Sequence, residues 1–146
     1  MANAACFLKM PIDKPAHSLA KRILIVEDNT LNLKLLNDLL EFRGYDIVAT
    51  SQGTAALELA REHAPDVILL DIQLPDIPGT EVAHRLKADR QTRTIPIIAV
   101  TAFAMSGDEA KILASGCDAY ISKPFNIQSL FDMIERYIID NSSESR

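Results

Sequence analysis

The feature that most constrains this chain is an alternation of short, unbroken aliphatic runs with stretches of helical periodicity. Ile23-Leu24-Ile25-Val26, Val67-Ile68-Leu69-Leu70 and Ile97-Ile98-Ala99-Val100 contain no polar residue at alternate positions. Such runs suit strands buried on both faces, which requires helices on both sides of a sheet. Asp46 to Thr50 and Ala119 to Ser122 read as two further strands. The first helix is capped by Asn29 or Thr30, carries Leu31, Leu35 and Leu39 beside Leu36 and Leu40, and stops at Gly44. Ala56, Leu59, Ala60 and His63 share a face of a second helix, and Val82, Ala83 and Leu86 face inward from a third. A fourth is expected from about Ser106 to Ser115. A fifth, from about Ile127 to Ile139, presents Leu130, Ile134, Tyr137 and Ile138. Five strands alternating with five helices predict an α/β fold around a parallel sheet.

The 146 residues suit one domain. Residues 1–20 lack sustained periodicity and carry Pro11 and Pro15, so they read as a flexible N-terminal tail. The domain is expected over 21–141, with 142–146 as a C-terminal tail too short for an effector domain. Fifteen Lys and Arg against twenty Asp and Glu give a net charge of −5, which disfavours nucleic acid as a partner. No apolar run approaches the ~20 residues of a membrane span, and Lys9 follows Cys6-Phe7-Leu8 too soon for a signal peptide. Cys6 and Cys117 have no CxxC spacing and read as reduced thiols of a cytoplasmic protein. His17, His63 and His84 fall in different elements, which argues against zinc.

Open α/β sheets bind ligands at the carboxyl ends of their strands. Glu27 and Asp28 follow the first strand, Asp71 ends the third, Thr101 follows the fourth and Lys123 follows the fifth. Each has a bland alternative: a helix cap, a turn, a strand-end hydroxyl, a surface charge. Their convergence on one edge points instead to a site. Like charges ~5 Å apart cost about 3 kcal/mol per pair at an effective dielectric near 20, so gathered carboxylates call for a cation. An all-oxygen donor set without Cys or His favours Mg²⁺. A carboxylate so neutralised can act as a nucleophile, while a Lys and a Thr hydroxyl suit phosphoryl oxygens.

The runs Ile23 to Asn29, Leu70-Asp71-Ile72-Gln73-Leu74-Pro75, Thr101-Ala102 and Tyr120-Ile121-Ser122-Lys123-Pro124-Phe125 resemble the receiver domain of two-component response regulators, over about residues 22–140. The resemblance implies a flavodoxin-like sheet of order 2-1-3-4-5. It implies Asp71 as phosphoacceptor, and Mg²⁺ held by Glu27, Asp28, Asp71 and the backbone carbonyl of Gln73. Lys123 would pair with the phosphoryl group through a cis bond to Pro124. Thr101 would move towards that group and Tyr120 would swing inward, altering the face built by the fourth helix, fifth strand and fifth helix.

The implied donor is a histidine kinase or a phosphotransfer protein, and a kinase-like scaffold is a further expected partner. The molecule is expected as a monomer or weak dimer. It would regulate cell division and the cell cycle by protein binding and turn over no external metabolite. A chemotaxis-type or relay-intermediate receiver and an Asp-nucleophile phosphohydrolase are the alternatives. The hydrolase would need a further acid/base carboxylate, and Asp76 sits in a proline-bracketed loop poorly placed for it. A nucleotide-binding domain lacks its glycine-rich motif. Phe103 is large and offers no polar group to orient a hydrolytic water, so slow loss of the phosphoryl group is expected.

Overall fold

The computed structural model describes residues 20–102 and 108–144. The N-terminal segment apart from Ala20, Phe103 and the expected helix start at Ser106 lie outside the described residues, as do residues 145 and 146. Five parallel strands, β1 (Arg22–Val26), β2 (Asp46–Thr50), β3 (Val67–Asp71), β4 (Ile97–Thr101) and β5 (Ala119–Ser122), form one sheet of order β2-β1-β3-β4-β5. Between them run α1 (Thr30–Phe42), α2 (Ala56–His63), α3 (Gly79–Ala88) and α4 (Asp108–Ala114), and α5 (Ile127–Glu144) follows β5. A short 3₁₀ turn, Gly53–Ala55, leads into α2. The order matches the expectation from the resemblance.

Every residue of β3 and β4 is buried, so their aliphatic runs reflect contact with two layers rather than one. Leu24, Val26, Ile68, Leu70, Ile97 and Ala99 pack on Ala56 and Ala60 of α2, on Val82, Ala83 and Leu86 of α3, and on Ile112 of α4. The alternate residues Ile23, Ile25, Val67, Leu69, Ile98 and Val100 pack on Leu36 and Leu40 of α1 and on Leu130, Phe131, Ile134 and Ile138 of α5. Each Val, Leu, Ile or Phe among them contributes on the order of 1.5–3 kcal/mol by leaving water.

Asn29 caps α1, its side-chain oxygen accepting the Asn32 N–H at 3.0 Å. Gly44, at φ 95°, turns the chain out of α1 in a left-handed conformation that costs glycine little. One expectation fails on α1. Leu31 and Leu35 do not join Leu36 and Leu40 in the core: they are 79% and 49% exposed. At 3.6 residues per turn they point about 100–140° away from Leu36, and the sheet covers only the Leu36–Leu40 side. The last helix also runs beyond Ile139 to Glu144, through residues 142–144 of the expected tail. No helix among the described residues is long and apolar enough to cross a membrane.

Candidate functional site

Strand order changes direction between β1 and β3, which opens a crevice beyond their carboxyl ends. Asp71 is the last residue of β3 and Thr101 the last of β4, while Glu27 and Lys123 directly follow β1 and β5. The Glu27 N–H donates to Thr50 O at 3.0 Å, and the Lys123 N–H donates to Thr101 O at 2.7 Å. These bonds extend the ladders by one step and hold both residues in line with the sheet. Glu27, Asp71 and Thr101 are buried, which polar residues tolerate only with partners.

One carboxylate oxygen from each of Glu27, Asp28 and Asp71 lies within 4.8 Å of the others. The Lys123 Nζ reaches Glu27 Oε1 at 3.1 Å and Asp71 Oδ2 at 3.4 Å. A backbone N–H serves another oxygen of each buried acid: Asn29 N donates to Glu27 Oε2 at 3.1 Å, and Gln73 N to Asp71 Oδ1 at 3.0 Å. Asp28 is exposed at the mouth.

Burial pushes the Glu27 carboxyl above its ordinary value of 4.5, and the charge of Asp71 pushes the same way. Lys123 and the Asn29 N–H oppose this without cancelling it. Among the described residues, three carboxylates gather beside one ammonium, that of Lys123. An oxygen-only donor set in that state fits a hard divalent cation such as Mg²⁺.

Tyr120 is half-buried on β5. Its hydroxyl is hydrogen-bonded to Glu109 of α4, which holds the phenol above its usual range. The Lys123–Pro124 bond is cis. The sheet thus brings Glu27, Asp28, Asp71 and Lys123 together, with Thr101 at the adjoining strand end and Gln73 two residues past Asp71.

Two features of the loop after β3 were not anticipated from the sequence. Gly79 approaches the end of β3 so closely that a Cβ there would stand 2.4 Å from Asp71 O and 2.5 Å from Ile72 Cα. Asp76, far from supplying an acid or base, accepts the Gly53 N–H at 3.0 Å and the Thr54 N–H at 2.8 Å. Those bonds, Thr54 foremost, hold its carboxyl down at about 2. Nothing local to Asp76 signals this, because its partners lie in the β2–α2 connection.

The family model for the response regulator receiver domain matches residues 23–135. This chain belongs to that family. It is 53% identical over 122 residues to the polar-differentiation response regulator DivK of Brucella ovis, spanning 84% of this chain and 99% of that protein. The DivK of Brucella anthropi is 54% identical over 120 residues, spanning 82% of this chain and 98% of its own length. Among solved structures, the receiver domain of a sensor histidine kinase from Pseudomonas aeruginosa, with magnesium coordinated in its active-site cleft, superposes with a TM-score of 0.77 at 34% identity. That likeness covers 82% of this receiver and 98% of the Pseudomonas domain. A CheY-like receiver domain protein from Methanospirillum hungatei gives 0.79 at 33% identity, covering 86% of this chain and 98% of the other.

Proposed function

We propose that this receiver accepts a phosphoryl group on Asp71 from a phosphohistidine of a histidine kinase or phosphotransfer protein, and signals in the cytoplasm through phosphorylation-dependent protein binding. The observation that carries the reading is the meeting of the Glu27, Asp28 and Asp71 carboxylates within 4.8 Å, with the Lys123 ammonium against two of them. In the transfer, an Asp71 carboxylate oxygen attacks phosphorus as the N–P bond breaks, and the electron pair of that bond stays on the donor imidazole. The product is an acyl phosphate on Asp71.

Glu27, Asp28, Asp71 and the Gln73 carbonyl would hold Mg²⁺. Bound there, Mg²⁺ supplies positive charge against the phosphoryl oxygens. Lys123, which now divides its charge between Glu27 and Asp71, pairs with a phosphoryl oxygen. The Thr101 hydroxyl donates to another. Tyr120 leaves Glu109 and turns inward, so the α4–β5–α5 face changes the partners it binds. The phosphoryl group shifts this equilibrium only by its unequal contacts with the two states.

The polar-differentiation role named for the Brucella relatives supports a place in control of cell division and the cell cycle, ahead of a chemotaxis-type or relay role. Turnover of an external phosphate ester is disfavoured, because Asp76 is committed to two backbone N–H groups. The reading is tested by mixing the chain and Mg²⁺ with a phosphohistidine-bearing phosphotransfer protein. The label should move to this chain and fail to move to Asp71→Asn. Equal labelling of Asp71→Asn would overturn the assignment.

A further inference from the structure

The loop from Ile72 to Pro78 joins the acceptor strand to α3, and it is held to the rest of the molecule in a specific way. At its base, the Gly79 N–H donates to Ile72 O at 2.8 Å, which closes the loop on itself. At its start, the Gln73 N–H donates to Asp71 Oδ1 at 3.0 Å, so the position of Gln73 sets how the Asp71 carboxylate is turned. At its tip, Asp76 sends one oxygen to Gly53 N and the other to Thr54 N. The tip is thereby tied to a segment 22 and 23 residues earlier in the chain. A buried glycine receives it: Leu74 and Ile77 stand 3.0 Å from where a Gly53 Cβ would lie. The loop thus closes over Gly53 with an apolar contact on its inner side and a two-pronged carboxylate on its outer side.

We infer that Asp76 is a positioning residue for the metal and phosphoacceptor site: by clamping the loop tip to Gly53 and Thr54, it holds the Gln73 amide on Asp71 and the Gln73 carbonyl towards the carboxylates. The clamp uses both Asp76 oxygens on two adjacent amides, a geometry that resists twisting as one bond does not. Gln73 is three residues from that anchor and only two from Asp71. Freeing the tip leaves the loop attached at its ends and lets the Gln73 peptide rotate. Groups that orient a ligand without touching the metal commonly change affinity 10- to 100-fold. The inference rests on the Mg²⁺ site proposed above and adds to it a residue outside the crevice.

The test compares wild type, Asp76→Ala and Asp76→Asn in two measurements. One is Mg²⁺ affinity by calorimetry, with no phosphodonor present. The other is the backbone amide spectrum of the metal-free protein. Asp76→Ala should weaken Mg²⁺ about tenfold and shift the Gln73 resonance along with those of Gly53 and Thr54. Asp76→Asn, which keeps one oxygen for one amide, should recover part of both effects. A merely structural role would lower the melting temperature and leave Mg²⁺ affinity unchanged. Wild-type Mg²⁺ affinity in Asp76→Ala, with the Gly53 and Thr54 resonances moved, would overturn the inference. Failure of the wild type itself to bind Mg²⁺ would overturn the proposed function instead. The Gln73 resonance in Asp76→Ala then decides this inference alone: movement supports the positioning role, and an unmoved resonance removes it.

Discussion

Lys123 and Glu27 form an ion pair across 96 residues of sequence, Nζ to Oε1 at 3.1 Å, with the Glu27 side chain 2% exposed. Asp71 shares the same ammonium at 3.4 Å. One cation therefore answers two buried anions, and the arrangement leaves the site under-neutralised.

Removing that cation leaves both carboxylates without an ion-pair partner among the described residues. Lys123→Met should cost metal-free protein about 1–3 kcal/mol at neutral pH, read from urea midpoints. Added Mg²⁺ should return part of the loss, because it replaces the missing positive charge. An unchanged midpoint would mean that the pair contributes nothing to the fold.

Glu27 titrates above its ordinary 4.5 in the folded chain, through burial first and Asp71 second. A raised folded value means that the folded state holds its proton more tightly. That contribution is complete below pH 4.5 and is lost as pH rises through the folded value. Metal-free wild type should therefore lose stability relative to Glu27→Gln as pH is raised from 4 towards neutrality, as followed by melting temperature. The variant should melt higher at pH 7 and bind Mg²⁺ more weakly. A wild type that gains on the variant over this range would contradict the sign.

Asp76 behaves oppositely. Its carboxyl is lowered from 3.8 to about 2 by the Thr54 and Gly53 amides, so its contribution is present above pH 3.8 and fades as pH falls through about 2. The difference in melting temperature between wild type and Asp76→Asn should be constant at pH 5–7 and shrink below pH 4. A difference independent of pH would remove the charged carboxylate from the explanation.

Gly79 is held by contact rather than by its own dihedral angles. Its missing Cβ is replaced by backbone atoms of Asp71 and Ile72 at 2.4 and 2.5 Å, which cannot swing aside as a side chain can. Gly79→Ala should destabilise by about 2–3 kcal/mol. It should also weaken Mg²⁺, since the displaced atoms belong to Asp71, which ends β3, and to Ile72, which follows it. A stable Gly79→Ala protein with normal Mg²⁺ affinity would show that α3 can shift freely.

β1, β3 and β4 were legible because each is a run of aliphatic side chains whose burial on two faces leaves no polar alternation, whereas the half-buried edge strands β2 and β5 carry polar residues and read less plainly. The site was legible because a parallel sheet sends its strand ends to one edge, which turns distant residues such as Glu27, Asp71 and Lys123 into neighbours. Leu31 and Leu35 misled because α1 carries leucines around much of its circumference, and only the sheet decides which of them it covers. Asp76 was unreadable for a related reason. Its partners are two backbone amides, and a backbone amide has no sequence signature. α5 likewise extends past Ile138, its last buried residue among those whose burial is described, so hydrophobic periodicity did not mark its end.

Whether Asp71 is the nucleophile of the carboxylate cluster that Lys123 neutralises only in part is decided by incubating the whole chain with acetyl phosphate and Mg²⁺, then measuring intact mass and mapping the modified peptide. Wild type should gain the mass of one phosphoryl group, located at Asp71, and Asp71→Asn should gain none. Label on another residue, or an equal gain by Asp71→Asn, would contradict that role for Asp71.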